Sequence, residues 1–133
     1  LKIFLDSNLL IYLNTLTGDE RESLHAFFRK LLDENLFTNM LIVDETLYIS
    51  KRKFRVPYEV TLEFLKSIVL PYTKIIPIGE EDLNSMKKYL VKYDLKPSDS
   101  IHLATMEKAS VTHIASEDEG YDKVEEVKRM WLK

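Results

Sequence analysis

Four short stretches of this chain each set a carboxylate against apolar residues. They are Ile3-Phe4-Leu5-Asp6-Ser7-Asn8, Ile42-Val43-Asp44-Glu45-Thr46-Leu47, Pro97-Ser98-Asp99-Ser100-Ile101-His102, and Ser116-Glu117-Asp118 directly after the run Thr112 to Ala115. Apolar flanks hold such segments near a core, so the four acids are candidates for one shared pocket. Two unit charges about 4 Å apart at an effective dielectric of about 20 repel by roughly 4 kcal/mol. Either some of the acids stay protonated or a cation sits among them. All-oxygen ligands, with no cysteine and three histidines in the chain, suit Mg²⁺ or Mn²⁺ better than zinc. One or two such ions, keeping bound water and polarising a phosphate oxygen, supply the machinery of phosphodiester hydrolysis.

Each acid alone has an ordinary structural role as well. Asp6 or Ser7 fits the N-cap of a helix beginning near Leu9. Asp99 suits the positive end of a helix, with Ser98 as cap. Glu45 reads as a solvated helix residue, and Glu117 to Asp122 as a surface loop.

The elements that position these acids follow from periodicity. Helical patterns cover Glu20 to Leu32, Val43 to Phe54, Glu59 to Val69, Glu81 to Tyr93 and Pro97 to about Lys108. Short β-type runs lie at Lys2 to Leu5, Phe37-Thr38, Lys74 to Ile78, Thr112 to Ala115 and Val127 to Leu132. Strands alternating with helices predict parallel pairing with right-handed crossovers. The expected fold class is α/β: a three-layer α/β/α sandwich around a mostly parallel sheet of about five strands. In such sheets ligands bind at the carboxyl ends of the strands, and the four acids fall at that end.

The 133 residues suffice for one domain, 1–133. With 45% hydrophobic and 31% charged residues the chain can bury a core and solvate a surface. The absence of cysteine excludes thiol catalysis and disulfides and predicts a reducing, cytoplasmic setting. No apolar run approaches the roughly 20 residues of a membrane span. The net charge of -3 argues against a general nucleic-acid binder, though not against local basic patches.

Order and spacing of the four motifs resemble the PIN domain, the metal-dependent ribonuclease fold of VapC-type toxins, over essentially the whole chain. The family's opening hhhDxN, with h apolar, is matched by Ile3 to Asn8. Its mid-chain glutamate is matched by Glu45, and its D-x-x-x-x-A-T by Asp99 to Thr105. Its last motif, T-x-D followed by an aromatic residue and Asp, is matched by Ser116-Glu117-Asp118 and Tyr121-Asp122. The resemblance implies an Mg²⁺ or Mn²⁺ site formed by Asp6, Glu45, Asp99 and Asp118. Ser7 or Asn8 would orient Asp6 or a bound water, Ser116 would support the fourth carboxylate, and Asp122 would stand in an outer shell. Glu117 and Glu119 crowd the last motif, which leaves open whether Glu117, Asp118 or Asp122 completes the site. Asp44 is expected on another face of its helix from Glu45. His102 shares a face with Asp99; contact with substrate or a metal-bound water is one reading, and a place in packing or beside the ligands is the expected one.

For an RNA substrate the candidate contacts are Lys51, Arg52, Lys53 and Arg55, one to two turns beyond Glu45, with Phe54 or Tyr58 offering a stacking face. The same cations would suit a helix end. The resemblance implies an Mg²⁺-dependent endoribonuclease, the toxin of a toxin–antitoxin pair, with an antitoxin partner; a homodimer is the expected assembly. Alternatives are a ribosomal-RNA processing nuclease and a catalytically silent interaction module, which would lack one of the acids; none is missing. A phospho-aspartate phosphatase would want an acid where Asn8 stands. A receiver domain would want a lysine between Ser116 and Gly120.

Overall fold

Five short strands form one parallel sheet in the computed structural model, which describes residues 1–132. They are β1 (Lys2–Leu5), β2 (Asn35–Thr38), β3 (Thr73–Ile75), β4 (His113–Ala115) and β5 (Lys128–Met130), in the order β3-β2-β1-β4-β5. Every neighbouring pair runs parallel. β1 is central, and Ile3, Phe4 and Leu5 are fully buried, as a strand covered on both faces requires.

The chain steps from β1 outward to β3, then returns across the sheet to β4 and β5. With right-handed crossovers, this reversal sends the first helices to one face and the last two to the other. The packing agrees: α1 (Ser7–Thr15) lies against α2 (Gly18–Leu31) and α3 (Met40–Phe54), α3 lies against α4 (Tyr58–Phe64), and α5 (Leu83–Tyr93) lies against α6 (Pro97–Lys108). The expected α/β/α sandwich is the observed fold. The reversal falls between β1 and β4, and the crevice at their carboxyl ends is where open sheets bind ligands.

Local chemistry sets the helices. α2 carries Asp19 and Glu20 in its first turn and Arg29 and Lys30 in its last, both matched to the helix dipole, and buries Leu24, Phe28 and Leu31 along one stripe. α3 starts at Met40, three residues before the expected Val43, because the Asn39 side chain caps it by accepting from Ile42 N–H at 3.0 Å. It ends at Arg55, whose φ of 60° is left-handed and whose N–H returns to the Ser50 and Lys51 carbonyls. The segment expected as one helix from Glu59 to Val69 begins at Tyr58 and widens into a π-helical stretch at Leu65–Val69, keeping Thr61, Leu65 and Val69 buried. Pro97 opens α6, so Ser98 lies inside the helix rather than capping it. α6 buries residues around much of its circumference, including Ser100, His102, Leu103 and Thr105. Among the described residues no helix is long and apolar enough to cross a membrane.

Candidate active site

Asp6 is both the helix cap and a pocket acid. It follows β1, its Oδ1 accepts from Ser7 N–H at 2.9 Å, and its side chain is nearly buried. Its Oδ2 accepts from Ser116 Oγ at 2.6 Å and from Asn8 Nδ2 at 3.4 Å. Ser116 is the residue just past β4, so this contact ties the carboxyl ends of the two central strands together. The Ser116 hydroxyl oxygen also accepts from Asp118 N–H at 3.0 Å and from the Asn8 amide at 3.2 Å, while Asn8 Oδ1 accepts from Glu117 N–H at 3.2 Å. Ser7, Asn8 and Ser116 therefore all hold the Asp6 end of the crevice.

Three other carboxylates share one pattern. Glu45 Oε1 is 2.9 Å from His102 Nε2, Asp99 Oδ1 accepts from Tyr121 O–H at 3.1 Å, and Asp118 Oδ1 accepts from Gly120 N–H at 2.8 Å. Each acid is tethered by one oxygen and leaves the other free of hydrogen bonds among the described residues. Asp44 is exposed on a different face, as expected.

Their charges act on one another. Burial raises the Asp6 carboxyl above its ordinary value, with the Glu45 charge adding to the effect and the Ser116 hydrogen bond opposing it. Burial likewise raises Asp99, and the Asp118 and Glu45 charges raise it further. Burial and the charges of Asp6, Asp99 and Asp118 push the Tyr121 phenol far up, so its proton stays in place for Asp99.

The remaining acids of the last motif are engaged elsewhere. Glu117 accepts from Tyr12 O–H at 2.7 Å, which pushes that phenol up to about 12. Asp122, expected in an outer shell, is exposed and forms a bidentate pair with Arg129 at 2.9 and 3.1 Å. That guanidinium holds the Asp122 carboxyl below the usual range, and its Nη1 donates to the Ser116 carbonyl at 3.2 Å. Asp122 thus bears on the crevice only through Arg129 and the backbone of Ser116. The sequence reading assigns nothing to Asn39 or Arg129 and takes Tyr121 only as the aromatic residue of the last motif.

Lys51, Arg52, Lys53 and Arg55 are all exposed, and among the described residues none is in an ion pair. Arg52 follows Glu45 by seven residues, about 10 Å along the axis and on the same face. Lys51 Nζ lies 4.2 Å from the Tyr58 ring centre, and both line a groove of about 520 Å³ with Arg55, Pro57 and Glu59.

The sequence from residue 3 to 127 matches the model of the PIN domain. This chain belongs to the PIN domain family. Comparison with curated protein sequences gave no match. Among solved structures, this PIN domain resembles VapC20 of Mycobacterium tuberculosis, described as a sarcin–ricin loop cleaving toxin, with a TM-score of 0.74 at 12% identity over 92% of this chain and 95% of that one. It resembles VapBC2 of Rickettsia felis, solved on a promoter DNA fragment, with a TM-score of 0.75 at 11% identity over the whole of both chains. A toxin–antitoxin complex from Klebsiella pneumoniae gives 0.68 at 18% identity, covering 95% of each chain. At these identities the likeness is one of fold.

The donors of this PIN domain fit a hard divalent cation. The free atoms are carboxylate oxygens, and burial with mutual repulsion leaves Asp6 and Asp99 reluctant to ionise. Among the described residues no group of three His, Cys, Asp and Glu side chains is placed to hold a metal ion as they stand. Mg²⁺ ordinarily takes one or two carboxylates and completes its sphere with water, so a site of this kind does not require three side chains already grouped.

Two outcomes follow for this PIN domain. Asp6 and Asp99 have folded-state values raised above 3.8, so their stabilising contribution is full below that pH and is lost as pH rises through the raised values. Mg²⁺ binds the ionised form, so the rise in melting temperature on adding Mg²⁺ will be larger at pH 7.5 than at pH 5; equal rises would place the ion elsewhere. A Cβ at Gly120 would meet Asp118 Oδ1 at 2.9 Å. The contacting atom is the end of an exposed side chain and can turn away, so Gly120→Ala will change stability by less than about 1 kcal/mol. It will weaken Mg²⁺ binding by displacing that carboxylate, and isothermal titration of both proteins checks the split.

Proposed function

We propose that this chain is a metal-dependent endoribonuclease and acts as the toxin of a type II toxin–antitoxin pair. One observation carries the reading: Glu45, Asp99 and Asp118 are each tethered by one oxygen with the other free of hydrogen bonds among the described residues, beside the buried Asp6, in a PIN fold. Asp6, Glu45, Asp99 and Asp118 would hold Mg²⁺ or Mn²⁺. When bound, the ion lowers the pKa of a water and offsets charge on the scissile phosphate.

The chain's own residues do the rest. Ser116 and Asn8 fix Asp6, and Tyr121 fixes Asp99, so the acids need little reorganisation. Asp118 completes the set, because Glu117 is committed to Tyr12 and Asp122 to Arg129. Lys51, Arg52, Lys53 and Arg55 hold phosphates flanking the cut, and the Tyr58 face beside Lys51 offers a base a stacking surface. The acids repel RNA without the ion, so RNA and metal bind cooperatively. An antitoxin would be the partner, as in the complexes its fold resembles.

The test is cleavage of a mixed RNA pool and of a ribosomal-RNA hairpin with Mg²⁺ or Mn²⁺. The hairpin is included because VapC20 is described as cutting the sarcin–ricin loop. The chain will cut RNA, spare duplex DNA and stop on addition of EDTA. Metal binding with no cleavage of either substrate would turn the reading to a silent interaction module.

A further inference from the structure

His102 is fully buried, and both its ring nitrogens lie in hydrogen bonds to side chains. The polarity of that network is fixed from one end. The Asn39 carbonyl oxygen is occupied as the α3 cap, accepting from Ile42 N–H at 3.0 Å. Its amide nitrogen is therefore the atom that faces His102 Nδ1 and Thr105 Oγ1, each at 3.1 Å. An amide nitrogen only donates, so Nδ1 accepts and the ring proton resides on Nε2. Thr105 supports this sense by donating its own proton to the His102 carbonyl at 2.8 Å. The Phe4 ring, 5.6 Å from the imidazole centre, packs against it.

We propose that His102 is a positioning residue for Glu45. The Asn39 cap sets the tautomer, the Nε2–H donates to Glu45 Oε1 at 2.9 Å, and the carboxylate is held by that oxygen, which leaves Oε2 without a hydrogen bond among the described residues. The same asparagine thus starts α3 and orients the acid carried on its second turn. The purpose served by Glu45 rests on the nuclease reading; the tautomer and the contact do not.

The experiment combines ¹⁵N NMR of the imidazole nitrogens in the metal-free chain, Mn²⁺ titration and RNA cleavage. The spectrum will show His102 protonated on Nε2 alone. His102→Leu will bind Mn²⁺ about 10-fold more weakly, the scale of losing a hydrogen bond that orients a ligand. His102→Gln, whose amide can still donate to Glu45, will stay within about 3-fold of the native affinity. If His102→Leu does not fold, Asn39→Ser carries the test. Serine keeps the helix cap but is too short to hold Nδ1, so the proton will spread over both nitrogens and Mn²⁺ affinity will fall several-fold.

A proton on Nδ1 in the native chain overturns the inference. So does native Mn²⁺ affinity in a folded His102→Leu, or an equal loss in the Leu and Gln variants, which would make the ring a packing element. So does an unchanged spectrum with unchanged affinity in Asn39→Ser. A native chain that binds no Mn²⁺ and cuts no RNA sinks the nuclease reading instead, and the tautomer spectrum still decides whether His102 donates to Glu45.

Discussion

Asp99→Asn gives a folded chain that no longer cuts RNA. The asparagine keeps the shape of the side chain and an oxygen for the Tyr121 hydroxyl, which donates to Asp99 Oδ1 at 3.1 Å. What it removes is one negative charge, half-buried and opposed by Asp118 and Glu45. The metal-free variant will melt at or a few degrees above the native temperature, since relief of repulsion is worth on the order of 1 kcal/mol or less here. The melting rise produced by Mg²⁺ will largely vanish. Cleavage will fall by about 10²- to 10³-fold or more, the scale of removing one preorganised charge contact at a reacting phosphate. Three measurements therefore move in different directions, and a general folding defect cannot imitate them. Native cleavage by a folded Asp99→Asn would remove this acid from the catalytic set.

Neutralising the basic run gives the second large effect, and it falls on substrate rather than on chemistry. Lys51, Arg52, Lys53 and Arg55 changed together to glutamine keep a straight-chain polar side chain of similar helix propensity while removing four exposed charges that carry no ion pairs among the described residues. For single-stranded nucleic acid each phosphate contact contributes about 0.7 to the slope of log K against log salt. Four lost contacts lower that slope by about 3. KM for RNA will rise by about 10- to 100-fold at low salt while kcat changes little, because uniform binding is lost and the acids are untouched. An unchanged salt slope would reduce the run to a set of cations suited to the end of α3.

Much of this was legible because strand and helix ends announce themselves. Ile3-Phe4-Leu5 before Asp6 reads as a buried strand with an acid at its exit, and the structure has that. Asp99 near Pro97 reads as a first-turn acid, and it is one. The start of α3 was misplaced because Met40 to Val43 look alike to periodicity, while the deciding residue, Asn39, follows the strand residue Thr38 directly. The partners of the acids were less legible. Ser116 meets Asp6, and Tyr121 meets Asp99, only because β4 lies beside β1 rather than beside β3, and strand order is not written in any local pattern. Asp122 was expected near the acids, yet the guanidinium fork of Arg129, seven residues on, captures it.

The contact between Ser116 and Asp6 spans 110 residues of sequence. β1 pairs with β2 after a loop of roughly thirty residues, but its other partner, β4, lies at the far end of the chain. Closing that larger loop costs entropy before any contact rewards it, and such long-range pairing is slow. A ribosome making this protein must release the stretch through Ser116 before the acid crevice exists at all. The nascent chain, with α1 to α4 already made, carries Asp6 and Glu45 without Asp99, Asp118 or the hydroxyl that fixes Asp6. Assembly order thus sets when the crevice can exist: an unfinished copy lacks two of the four acids, Asp99 and Asp118, and the crevice forms only when the last third of the fold docks.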